Sequence, residues 1–182
     1  MLEITVPAGE LWDEKSEMFI NNDRPTKLQL EHSLVSISKW EKKWHKPFLV
    51  DGEKTIEESR DYIRCMTLTK NVDPDVYMFL NQENFNEVKA YIDDPMTATW
   101  FSGDEGKGKL NGEQITSELI YYWMTVFHIP SEYQKWHLNR LITLIKICDI
   151  KSRPAKTVSR DETIRNYAAL NEARKKELGT KG

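Results

Sequence analysis

The stretch LQLEHSLVSISKWEKKWHKP, residues 28–47, decides the fold, because its apolar period changes partway along. Leu28 and Leu30 alternate with polar neighbours, the period of a half-buried strand. From Ser33 onward Leu34, Ile37, Trp40 or Glu41, and Trp44 recur at helical spacing. Ser33 is placed to cap this helix and Pro47 to stop it, so the spacing predicts a helix running to about His45. Upstream, Leu2, Ile4 and Val6 alternate in the same way, with turn residues Asn21, Asn22, Asp23 and Pro25 before the second run. Residues 1–31 therefore read as a small antiparallel β element that takes in Met18 to Ile20.

Downstream of Pro47 helices dominate. Thr55 and Glu58 have capping-box spacing and open a helix through Ile63 to about Leu68. Asp73-Pro74 places a proline in a first helical turn, ahead of Val76, Tyr77 and Leu80. Phe85, Val88 and Ile92 mark a further helix that ends at Asp94-Pro95. Residues 102–112, SGDEGKGKLNG, read as an exposed loop. Two strong helices are expected next. One carries Ile115, Leu119, Tyr122, Trp123 and Val126 on its apolar face. The other, opened by Pro130-Ser131, carries Trp136, Leu141, Leu144, Ile145 and Cys148. The short link between them predicts an antiparallel hairpin. A last helix, capped by Ser159 with Glu162, has few apolar residues and so little to hold it alone.

The 182 residues carry a net charge of -3, which conceals an asymmetry. Residues 151–182 hold nine Lys/Arg against four Asp/Glu, whereas the preceding 150 hold 17 basic and 25 acidic groups. The expected organisation is a mainly α-helical domain over 1–150 and a basic, partly flexible helical tail over 151–182, divided near Arg153-Pro154. No apolar run reaches the roughly 18 residues of a membrane span. The start of the chain lacks the basic and apolar regions of a secretory signal. Two cysteines cannot build a disulfide framework or a four-thiolate zinc site.

Chemistry-bearing constellations are sparse. His32, His45, His128 and His137 show no ligand spacing; they read as surface or interface histidines, with His128 and His137 close enough in sequence to meet. Cys65 and Cys148 fall on apolar helix faces and read as buried thiols. Glu57, Glu58 and Asp61 suit a first helical turn better than acid–base catalysis, and Asp93-Asp94 suits a helix end. The glycines of 102–112 lack phosphate-loop spacing. Trp40 and Trp44 among Lys39, Lys42, Lys43 and Lys46 could stack nucleic-acid bases, but a core-facing indole with solvated lysines is the simpler reading. No catalytic residue, cofactor or metal ligand is assigned. Tyr121, Tyr122, Phe127, Tyr133 and Trp136 exceed what one buried face needs and are the candidate protein-interaction residues. Arg174, Lys175 and Lys176 are the candidate basic contacts of the tail.

Several segments resemble a family encoded in the structural gene clusters of long-tailed bacteriophages: LQLEHSLVSISKWEKKWHKPFL at 28–49, DYIRCMT at 61–67, YIDDPMTAT at 91–99, ITSELIYYWM at 115–124 and QKWHLNRLITLIK at 134–146. The ending LNEARKKELGTKG, residues 170–182, fits too. The resemblance implies a non-enzymatic tail assembly chaperone. Such a protein holds the tape-measure protein in the host cytoplasm while the tail tube forms, and is absent from the mature virion. It also implies tail proteins as partners, with a homo-oligomer or a frameshift-extended form, no membrane, and no cofactor. A permanent virion component, such as a head–tail connector or minor tail protein, is the first alternative. A nucleic-acid-binding module acting through the basic tail is the second.

Overall fold

The computed structural model describes residues 1–13, 17–50, 52–101 and 114–153, together with 165, 167, 168, 170–172, 174 and 179. The chain divides into two compact units, Met1–Asp149 and Ile150–Gly182.

The first unit begins with an antiparallel ribbon in two parts. Strand β1 (Leu2–Val6) pairs with β4 (Thr26–Leu30), with Ile4 opposite Leu28. Strand β2 (Gly9–Asp13) pairs with β3 (Met18–Asn22), with Leu11 opposite Ile20 and Trp12 opposite Phe19. The ladder breaks where Pro7 and Pro25 face each other's strand, because neither has an N–H to donate. Asn22 closes the break by donating from Nδ2 to the Pro7 carbonyl at 2.7 Å. The expected β element is therefore present, but the residues read as its turn are not the hairpin's end. Asn21 and Asn22 belong to β3, and β2 went unread. Inward-facing Ile4, Val6, Leu28 and Leu30 are buried, while Glu3 and Lys27 pair on the outer face at 3.1 Å.

Helix α1 (Leu34–Trp44) starts on a capping box in which the Ser33 hydroxyl accepts from the Ser36 N–H and Ser36 Oγ accepts from the Ser33 N–H. It ends at His45 in the left-handed region (φ 53°), two residues before Pro47. Helix α2 (Ile56–Met66) uses the Thr55–Glu58 capping box expected of it. Beyond α2, Leu68 N donates to the Gln29 carbonyl and Glu31 N donates to the Met66 carbonyl, so this segment covers part of the free edge of β4. Asp73-Pro74 opens not an α-helix but a 3-10 helix over Pro74–Phe79, whose Val76, Tyr77 and Phe79 are buried. Helix α3 spans Gln82–Asp93 with Asn81 as its cap.

Helix α4 (Ser117–Val126) departs from expectation. Its buried residues are Ser117, Ile120 and Met124, whereas Tyr122 is 61% and Val126 47% exposed. The helix is apolar on nearly every side, so its own pattern does not choose the face; the tether to α1 described below does. It packs against α1 rather than principally on the following helix, as the hairpin reading required. Pro130-Ser131 opens a 3-10 helix (Ser131–Lys135), and α5 (Leu138–Ser152) starts only after an extended Trp136. Leu138, Leu141 and Ile145 are the buried residues of α5; Leu144 and Cys148 are half-buried.

The core is continuous from the sheet into the helices: Ile4, Leu28 and Leu30 meet Leu34, Ile37, Trp40, Ile63, Met66, Ile120, Leu138 and Leu141, all nearly inaccessible. The architecture is mostly helical with an N-terminal antiparallel sheet. In the second unit, residues 165, 167, 168, 170–172 and 174 are helical. The loop expected at 102–112, the Ser159–Glu162 cap, Lys175 and Lys176 lie outside the described residues. Among the described residues, no helix is long and apolar enough to cross a membrane.

Candidate protein-interaction surface

Three polar clusters hold the helices in place, and each uses residues whose chemistry the sequence left open. The first is Glu41. Its side chain is buried, with Oε1 accepting from the Phe48 N–H and Oε2 from the Ser117 N–H, both at 2.8 Å. One carboxylate thus fixes the chain after α1 and meets the first residue of α4, where a negative charge favours the helix dipole. This is the tether that turns Ile120 inward and leaves Tyr122 outside.

The second cluster joins α1 to α2. Trp40 Nε1 donates to the Glu58 carbonyl at 2.9 Å, and Trp44 Nε1 donates to Asp61 Oδ2 at 2.9 Å, with Lys43 paired to the same carboxylate. Lys46 pairs with Glu58 at 2.6 Å, and this contact holds the Glu58 carboxyl below its usual range. The indoles are committed to helix packing with the lysines outside, as the simpler sequence reading had it. Glu58 and Asp61 serve as cap and helix clasp.

The third cluster corrects the histidine reading. His32 and His137 are buried rather than superficial, and His137 meets His32, not His128, with ring centroids 5.0 Å apart. Tyr62 Oη and His32 Nδ1 are hydrogen-bonded at 2.5 Å, while His137 Nε2 donates to the Tyr91 carbonyl at 3.0 Å. Among the described residues, His137 Nδ1 has no hydrogen-bond partner. Burial, with His137 alongside, pushes His32 down to about 3, and burial lowers His137 as well. The backbone closes over the pair, since Leu138 N donates to the His32 carbonyl at 2.8 Å. Tyr91 donates to Glu31 at 2.7 Å, and Glu31 also holds the N-terminal amine at 3.2 Å. The two thiols are half-buried, and desolvation raises Cys65 to about 11, which suits an inert thiol. Among the described residues, no group of three His, Cys, Asp or Glu could hold a metal ion.

The five candidate interaction residues divide. Tyr121, Phe127 and Tyr133 pack against the core, and the Tyr121 hydroxyl donates to Gln134 at 2.9 Å. Trp136 is half-buried, stacked on Tyr133 at 4.0 Å with the Arg140 guanidinium 4.1 Å over its ring. Only Tyr122 presents most of its ring to solvent. Arg174, from the tail, is helical and exposed.

The larger apolar surface is one that sequence reasoning missed. On the β2–β3 ribbon Leu11, Trp12, Met18 and Phe19 are 41%, 53%, 63% and 61% exposed. Trp12 and Phe19 meet edge-to-face at 4.8 Å, across the strands. Direct pairing puts Leu11 with Ile20 on one face and Trp12 with Phe19 on the other, so the ribbon is apolar on both sides. The available signal was ELW and MF, residues 10–12 and 18–19, adjacent apolar pairs that a one-sided strand would not carry. Such clustered exposure marks an interaction surface.

No protein-family model matches the chain, and no curated protein or solved structure matches it.

Proposed function

We propose that this chain is a non-enzymatic protein-binding component of phage tail morphogenesis, a tail assembly chaperone that engages the tape-measure protein in the host cytoplasm. The phage setting comes from the resemblance of the segments at 28–49, 61–67, 91–99 and 115–146. The observation that supports a binding role is the apolar ribbon: four large side chains left in solvent beside a core that is otherwise well closed. Tyr122 and Val126 on α4 add a second exposed apolar site. Helical clients present apolar stripes to such surfaces, and aromatic side chains dominate the energy of contacts of this kind.

The ribbon also favours a second reading, a permanent virion component whose projecting strands fasten it to neighbours. One experiment separates the two. Mass spectrometry is run on purified particles and on lysate from the same infection. Peptides abundant in lysate and missing from particles are expected for a chaperone. Stoichiometric peptides in the particle would overturn that role and leave the structural one.

A further inference from the structure

A groove of about 520 Å³ lies between α2, α3 and the segment that links α1 to α2. Its apolar lining includes Phe48, Tyr62, Phe85 and Ile92, and among the described residues its charged lining is Lys54 and Lys89. Lys54 lies 4.4 Å over the Phe48 ring, so its ammonium stands at the wall of the apolar part. Among the described residues, no carboxylate lines the groove. Its volume falls within the roughly 300–1,000 Å³ range of sites that enclose a drug-sized ligand, enough for one or two aromatic side chains.

The β2–β3 ribbon has the opposite character in both respects. It offers Trp12 and Phe19 to solvent, and Glu10 and Glu17 on the same ribbon are exposed carboxylates. Within its own molecule the base of the ribbon lies against the 3-10 helix at Phe79, and no described ribbon residue lines the groove. Acidic and aromatic on one side, basic and apolar on the other, the two surfaces are complementary but apart.

We infer that the ribbon of one copy docks in the α2–α3 groove of a second copy, with Trp12 and Phe19 entering the apolar floor and Glu10 and Glu17 meeting Lys54 and Lys89. The two surfaces occupy different places on one chain, so the contact is heterologous, and successive copies extend it or close it into a ring. The inference goes beyond the chaperone reading and does not rest on it: a ribbon docked in a second copy leaves Tyr122 and Val126 of α4 as the exposed site for a client, and self-association is measured on the purified protein alone.

The test is sedimentation equilibrium on the full chain and two variants. The wild type is expected to self-associate, weakening with added salt as an ion-paired contact does. The arm variant W12A/F19A and the groove variant K54E/K89E are each expected to weaken association at least about thirtyfold, the scale of lost aromatic hot spots. Circular dichroism should match the wild type in both, because all four side chains lie at the surface or at the groove edge. Mixing the two variants is the decisive arm, since each retains one intact surface. A one-to-one complex in the mixture, absent from either variant alone, is the expected result. A monomeric wild type, an arm variant that associates as the wild type does, or a mixture that stays monomeric would each overturn the inference.

Discussion

Glu41 does at the scale of one residue what no apolar contact could, choosing which side of α4 faces inward. Because both carboxylate oxygens accept buried backbone N–H groups, E41A leaves two donors unpaired, and we expect a loss of about 3 kcal/mol or more in urea unfolding. E41Q keeps one acceptor and turns an amide N–H₂ on the other donor, so it should cost about 1–3 kcal/mol. A wild-type urea midpoint for E41A would refute the clasp. The histidine pair sets the pH response. His32 is held near 3 in the folded state against about 6.5 in the unfolded chain, so between those values the unfolded state binds more protons. Stability is therefore full above about pH 6.5 and falls as pH drops toward 3, by at most about 1.4 kcal/mol per pH unit for this group. The lowered Glu58 carboxyl acts in the same direction, but only below its ordinary value of 4.5. Urea midpoints at neutral and mildly acidic pH check this; a rise on acidification would contradict it.

Capping and burial separate cleanly among the elements. T55A removes the acceptor for the Glu58 N–H and should cost about 1 kcal/mol, whereas I120A in α4 opens a fully buried site and should cost about 2–5 kcal/mol. Y122S on the same helix should change stability by no more than about 0.5 kcal/mol, since its ring lies mostly in water. Thermal melts of the pair I120A and Y122S would tell directly which face is inside. The sequence made α1 and α2 readable because each is bounded by local chemistry: Ser33 and Pro47 for one, Thr55 with Glu58 for the other. The inward set of β1 and β4 was readable because alternation places Ile4 and Leu28 on one side. The face of α4 was not, because Ile120 and Leu119, or Met124 and Trp123, are equally apolar, and the decision came from a carboxylate 76 residues away. For the same reason, spacing alone could not reveal that His137 would meet His32. The interaction site was half legible. Aromatic excess near 121–136 was visible, but Gln134 and Arg140 occupy much of it, and the open ribbon was hidden because the adjacent pairs Leu11-Trp12 and Met18-Phe19 put apolar residues on both faces and leave no period of two.

At the scale of the whole molecule the chain divides into two compact units, Met1–Asp149 and Ile150–Gly182. Ending the chain after Ser152 should therefore leave the melting temperature of the Met1–Asp149 unit within about 4 °C, the shift that 1 kcal/mol would give a domain of this size. A larger fall, followed by circular dichroism, would place the tail in the fold's support. The clasp between His32 and Leu138 has a consequence in time. A ribosome adding about 5–20 residues per second needs roughly 5–20 s to go from one partner to the other. Through that interval the first strands and α1 exist without the helix that closes over them, with Leu34 and Ile37 lacking Leu138 and Leu141. The loop to be closed is also long, which slows folding more than it weakens the final state. Completion is thus a late event, paced by synthesis, and the nascent chain spends those seconds with its own apolar interior open to whatever binds first.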